Sequence, residues 1–207
     1  MANIEVFKAG ILGASVLDPE GTHHEFVSGK HGQKLDFDVI PTGSLLYNEW
    51  VEVNVDFITD RHDEAEIIMG VANGTNRLAL DVAARFKGRK LGLVSEKDPE
   101  NSKILRLGSL ARRVIKSFEP ELVVVVEDVG TTGSNSVQVA EACLDAGAKD
   151  VIVVPTWMRQ PRLDRLEDAD ILYDPIINET LATYTPDECR ATGFCAQGWE
   201  YIPRPKQ

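Results

Sequence analysis

Leu122–Val126 is a run of five apolar residues, four of them valine, with no polar residue between them. A strand with one face in water alternates in polarity, so an unbroken β-branched run belongs to a central parallel strand buried on both faces. The run ends in two adjacent acids, Glu127 and Asp128, followed by Val129-Gly130-Thr131-Thr132-Gly133-Ser134. From Asn135 the apolar spacing turns helical, with Val137, Ala140, Cys143 and Leu144 on one face.

A strand, a glycine-containing loop and a helix N-terminus together form an anion site. The first amides of a helix lack intrahelical partners, and the macrodipole is positive there. Gly130 and Gly133 permit positive φ and close approach of a phosphate, while Thr131, Thr132 and Ser134 add hydroxyl donors. Glu127 and Asp128 would repel a phosphate. They suit the hydroxyls of a sugar beside it, or the neighbourhood of a magnesium ion, so a ribose 5-phosphate fits better than a nucleoside triphosphate. Neither G-x-x-x-x-G-K-[ST] nor a strand-linked G-x-G-x-x-G occurs in the chain.

The stretch VVVVEDVGTTGSN resembles the phosphoribosyl-diphosphate (PRPP) binding motif of type I phosphoribosyltransferases. The resemblance is nearest to orotate phosphoribosyltransferases and runs from about Phe26 to about Gly198. It implies that residues Glu127, Asp128, Val129, Gly130, Thr131, Thr132, Gly133 and Ser134 bind PRPP. The acids would hold the ribose hydroxyls and the loop the 5-phosphate.

Net charge is −11, which argues against a general nucleic-acid surface. An acidic chain that binds a polyanion must concentrate its few cations and use Mg²⁺. No apolar run reaches membrane-spanning length, and Met1 to Glu5 carry no signal-like core, so the expected location is cytoplasmic. Cys143, Cys189 and Cys195 do not form a disulfide framework. Cys189 and Cys195 are separated by five residues, wide for a zinc pair, with no histidine or further cysteine nearby in sequence. No metal site from the protein alone is expected.

Ile4–Phe7 reads as a short strand. Leu35, Phe37 and Val39 alternate with Asp36 and Asp38, so Glu25–Ile40 reads as a hairpin-like flap. FVSGKHGQKLDFD resembles the amino-terminal hood of the orotate enzymes, which places Lys30 at the base. Its bland alternative is a solvated turn. Ser44–Ile58 reads as mostly helix, Asp60–Glu66 as a loop and Ile67–Met69 as a strand. Asn73, Gly74 and Thr75 then fall at the family's pyrophosphate loop, with Thr75 or Asn76 capping the next helix.

After the strand Leu91–Val94, the charged segment Glu96–Lys103 suits a mobile surface loop. In the family the corresponding lid reads Arg-Lys-Glu-x-Lys-x-His-Gly. Lys97 matches its second lysine, while Leu93 and Val94 stand at Arg-Lys and Pro99 at His. The resemblance makes Lys97, with Asp128, the catalytic pair. Arg106–Phe118 reads as a helix, Val151–Val154 as a buried strand and Asp170–Tyr173 as a last strand. Trp157-Met158-Arg159-Gln160 resembles the family's Asp-Arg-Gln segment, which puts Arg159, with Thr131, on the base.

The expected architecture is one α/β domain: a doubly wound parallel sheet over about 44–185, with a small hood from both termini, about 1–43 and 186–207. The implied reaction is displacement of pyrophosphate from PRPP by orotate in a homodimer that contacts neither nucleic acid nor membrane. Two alternatives stay open: a phosphoribosyltransferase for another nucleobase, and a non-catalytic PRPP- or nucleotide-binding protein.

Overall fold

In the computed structural model, Val123–Val126 lie in the middle of a six-stranded sheet and are fully buried. The structure describes residues 4–204 apart from Ser15, Val27 and Asn73. In chain order the elements are α1 (Ile4–Gly13), β1 (Thr22–Glu25), β2 (His31–Gly32), α2 (Leu45–Arg61), β3 (Ile67–Gly70), α3 (Asn76–Arg85) and β4 (Leu91–Lys97). There follow β5 (Leu105–Leu107), α4 (Ser109–Phe118), β6 (Val123–Gly130), α5 (Ser134–Ala146), β7 (Val151–Met158) and α6 (Asp164–Asp168). The last are β8 (Leu172–Tyr173), β9 (Thr183–Tyr184), α7 (Pro186–Ala191) and β10 (Glu200–Ile202). The chain divides into two compact units, one spanning Asn48–Glu179 and the other Ile4–Tyr47 with the segment from Thr180 onward.

The larger unit holds the sheet β5-β4-β3-β6-β7-β8. All neighbours in it are parallel except β5, which runs antiparallel to β4. Ile67, Met69, Val123, Val125, Val151 and Val153 pack with Ile115 of α4 and Val139, Ala140 and Cys143 of α5. Ile68, Val124, Val126 and Val154 alternate with them and are equally buried, so both faces of the sheet are covered. Each such side chain contributes about 1.5–3 kcal/mol relative to exposure, which holds β6 immobile beneath whatever its far end carries. This is the doubly wound α/β arrangement.

The smaller unit has its own sheet, ordered β10-β1-β2-β9, in which strands from both ends of the chain meet. β1 pairs parallel with β10 and antiparallel with β2, and β2 pairs antiparallel with β9.

Several local expectations are corrected. Residues 4–7 open a helix, because Phe7 and Ile11 lie one turn apart and are buried together. Phe37–Val39 is a 3-10 turn: the Asp36 carboxylate accepts from the Asp38 amide at 3.1 Å, and Val39 turns outward. α2 continues to Arg61, into the expected loop, and Arg106 belongs to β5 rather than to α4.

Candidate functional site

Sheet order places the site. From β3 the chain moves outward through β4 to β5, and from β6 it moves the opposite way through β7 to β8. The loops after β3 and β6 therefore diverge, opening a crevice at the carboxyl ends of two adjacent strands. Across it, a Cβ on Gly74 would stand 3.3 Å from Asp128 Oδ2.

β6 does not stop before the acids. Pairing with β7 continues through Glu127↔Pro155 and Val129↔Trp157 to Gly130↔Met158, so the acids sit on extended, paired backbone. Gly130 accordingly does not take the positive φ expected of it. Its small size is needed for packing, since a Cβ there would meet Pro155 and Leu163 at 3.2 and 3.3 Å. Gly133 does take positive φ, +77°, and a Cβ would lie 2.9 Å from Leu166 Cγ. It is the N-cap of α5 and brings no side chain to the helix end, so the first-turn amides face outward without a capping group. The Arg165 amide donates to Thr132 O at 3.0 Å and steadies the bend from the α6 side.

The result is a polar concavity of about 190 Å³ lined by Glu127, Asp128, Val129 and the run Thr131–Ser136. Thr131, Thr132, Ser134 and Asn135 are exposed in it, and the Thr132 and Ser134 hydroxyls are 2.8 Å apart. Ser136 was not singled out from sequence. It is buried, and its hydroxyl donates to Glu127 Oε2 at 2.5 Å. Its signal was a small hydroxyl in the first turn of the helix. Asp128 Oδ1 accepts from the Val129 amide at 2.7 Å. Burial, reinforced by the neighbouring Asp128 charge, pushes the Glu127 carboxyl well above its ordinary value of 4.5. An amide-and-hydroxyl bed beside two crowded acids can hold an anion and, next to it, a group rich in hydroxyls.

The other expected residues are distributed as follows. Thr75 is fully buried, and its hydroxyl donates to Val126 O at 2.6 Å and accepts from the Val71 amide at 2.9 Å. Its own amide donates to Val71 O, and the Ala72 amide donates to Ser95 Oγ. Among the described residues of that loop, Gly74 is left exposed beside Asp128; Asn73 lies outside the described residues. Arg159 is buried, and its amide donates to Gly130 O at 2.9 Å, which joins it by backbone to the end of β6. Lys30 is exposed in the β1–β2 turn of the smaller unit.

Lys97 is exposed at the end of β4, opposite Leu105 of β5, so the expected loop is a hairpin. Asp98 Oδ1 accepts from the Glu100 and Asn101 amides, and Arg106 pairs with Glu96 and Asp98 at 3.1 and 3.4 Å. Lys30, Lys97 and Arg159 are not among the residues lining the concavity. Among the described residues, no helix is long and apolar enough to cross a membrane.

Compared with solved structures, the chain has the fold of type I phosphoribosyltransferases. Orotate phosphoribosyltransferase from Aeropyrum pernix superposes with TM-score 0.63 at 16% identity, over 83% of this chain and 93% of that one. Adenine phosphoribosyltransferase from Saccharomyces cerevisiae gives 0.60 at 13% identity, over 84% and 99%. Orotate phosphoribosyltransferase from Mycobacterium tuberculosis H37Rv, in complex with inorganic phosphate, gives 0.59 at 16% identity, over 84% and 94%. At such identities the likeness is one of fold. No protein-family model and no curated protein sequence matches the chain.

Proposed function

We propose that the chain is a phosphoribosyltransferase that binds PRPP in the loop 127–136 and transfers its phosphoribosyl group to orotate. The observation that carries this reading is the Gly133 bend. An αL glycine at the N-terminus of α5, against two acids at the end of a central strand, makes a bed for a 5-phosphate with ribose hydroxyls alongside. Glu127 and Asp128 accept from those hydroxyls, and Val129–Ser134 hold the phosphate. The concavity's side-chain donors are carboxylate, hydroxyl and amide oxygens, a hard set that fits Mg²⁺ arriving on the diphosphate of PRPP. When bound, the ion neutralises the departing diphosphate.

No protein nucleophile is required. The N1–C1 bond forms as the C1–oxygen bond to diphosphate breaks; the electron pair leaves with pyrophosphate, and the proton of N1 is released to solvent. The chain positions the sugar and stabilises charge. Lys97 neutralises the leaving group, and Gly74 flanks it. Arg159 and Thr131 meet the base. The protein works in the cytoplasm as a homodimer. An apolar groove in the larger unit supports self-association, since Leu80, Val94 and Leu110 are exposed along it; light scattering on the full chain tests this.

A second reading, PRPP binding without turnover, is favoured by one observation: among the described residues of the loop after β3, the Val71, Ala72 and Thr75 amides are engaged internally rather than turned to a pyrophosphate. A spectrophotometric assay with PRPP, Mg²⁺ and a panel of bases separates these readings. Turnover of orotate supports the first, turnover of a purine redirects the base assignment, and PRPP binding without turnover establishes the second. No PRPP binding at all overturns both.

A further inference from the structure

The smaller unit gathers four side chains that the sequence scatters. His23 lies on β1, His31 on β2, Cys189 on α7 and Cys195 in the turn that follows. One ligand atom from each lies within 4.8 Å of the others. His23 Nε2 is 3.2 Å from Cys195 Sγ, which is 3.3 Å from Cys189 Sγ and 3.6 Å from His31 Nδ1. The edges of a tetrahedron around zinc, with bonds of about 2.0 Å to nitrogen and 2.3 Å to sulfur, are about 3.3–3.8 Å long. A nitrogen–sulfur edge is about 3.5 Å and a sulfur–sulfur edge about 3.8 Å, so His31–Cys195 at 3.6 Å matches, while His23–Cys195 at 3.2 Å and Cys189–Cys195 at 3.3 Å are shorter by about 0.3 and 0.5 Å.

The surroundings are those of a closed site. His23, His31 and Cys189 are buried and Cys195 is partly so. Thiols are weak hydrogen-bond donors, so mutual contacts satisfy these groups poorly. The Cys195 amide donates to Cys189 Sγ at 3.3 Å, a contact that favours a thiolate. Tyr201 stacks on His31 at 5.1 Å, and Phe194 lies 5.7 Å from His23, so the imidazoles are held in place by aromatic rings.

We propose that His23, His31, Cys189 and Cys195 form a structural zinc site of the Cys2His2 type that staples the two ends of the chain together. Two nitrogens and two sulfurs in tetrahedral array select zinc over the hard cations. Four protein ligands leave no position for a substrate, so the role is structural. Burial pushes the Cys195 thiol up, with help from Cys189, and burial and His31 push His23 down. A zinc ion takes its sulfur ligands as thiolates and its imidazoles unprotonated, so loading releases protons and binding weakens as pH falls. The unit's buried apolar residues are few, chiefly Phe7, Ile11, Val16, Leu35, Phe37 and Ile40 beside the aromatic cluster, and in small units metal binding supplies folding free energy directly. None of the four residues lines the 127–136 concavity, and the site does not depend on PRPP.

The test is elemental analysis of the full chain, purified without a polyhistidine tag under reducing conditions and dialysed against metal-free buffer. One zinc per chain is expected. Replacement by Co²⁺ should give thiolate-to-metal charge transfer and the intense ligand-field absorption of a tetrahedral site. Cys195→Ser and His23→Gln should each weaken zinc binding by on the order of a hundredfold or more, since outer partners of zinc ligands alone are worth 10–100-fold. Cys143→Ala should leave zinc content unchanged. If the ligand variants fail to fold, the wild-type cobalt spectrum still decides. Reduced wild-type protein that neither retains nor takes up either metal overturns the proposal. So does a cobalt spectrum without thiolate charge transfer, or metal-free protein whose Cys189 and Cys195 are recovered as a disulfide.

Discussion

The hydroxyl of Thr75 donates to the carbonyl of Val126 at 2.6 Å, joining the loop after β3 to the end of β6. The same oxygen accepts from the Val71 amide, so one buried side chain sets the width of the crevice where the two halves of the sheet part.

Thr75→Val keeps the shape and removes the hydroxyl, leaving the Val71 amide without its acceptor. The expected loss is about 1–3 kcal/mol, or roughly 3–10 °C in Tm for a chain of this size. Thr75→Ser should recover most of it. Thermal unfolding of both variants checks this, and a Thr75→Val protein as stable as wild type would remove the tie.

Gly133→Ala places a Cβ at φ +77° and 2.9 Å from Leu166 Cγ. Forcing an L-residue there costs about 1–3 kcal/mol before the clash is counted. The bend should open, with PRPP affinity falling more steeply than stability. Calorimetric titration beside a melting curve measures both, and wild-type affinity in this variant contradicts the assigned phosphate bed.

Asp128→Asn should keep the far-UV circular dichroism spectrum, because the carboxylate is at a strand end rather than in the apolar core. PRPP affinity should fall about ten- to a hundredfold, the worth of a charge-assisted hydrogen bond. Unchanged affinity would show that the ribose hydroxyls are held elsewhere.

Glu127 makes stability depend on pH. Its native value is raised above 4.5, so below 4.5 native and unfolded chains both carry the proton. As pH rises from there towards the native value, the unfolded chain loses that proton first, and stability declines. Each pH unit of elevation is worth about 1.4 kcal/mol. Glu127→Gln keeps an oxygen for the Ser136 hydroxyl and abolishes the decline, so this variant should exceed wild type in stability at pH 8 and converge with it at pH 4. Denaturant curves at the two pH values decide, and parallel behaviour of the two proteins rejects the crowded-acid account.

What was legible in the sequence was contiguous. The unbroken valines, the acids, the glycine bend and the helical spacing after Asn135 are all encoded within one stretch, and hydrophobic period reports directly which faces are buried. Errors came where period was short or weak. Residues 4–7 are too few to separate strand from helix, and Asp36 replaced an apparent alternation at Leu35–Val39 with a side-chain-made turn. The continuation of β6 through Glu127 and Asp128 depended on a partner, β7, supplying hydrogen bonds that polar residues alone do not advertise.

The residue sequence alone determined an α/β chain with a glycine bend between its central strand and the next helix, because strand, bend and helix are neighbours along the backbone. Tertiary structure alone decided that Thr75 would be spent on Val126 and that Arg106 would brace a hairpin. It also brought His23 to within 3.2 Å of Cys195, a residue 172 positions away. The order in which strands join a sheet determines which distant segments touch, and that order follows from the packing of the whole chain rather than from any local pattern.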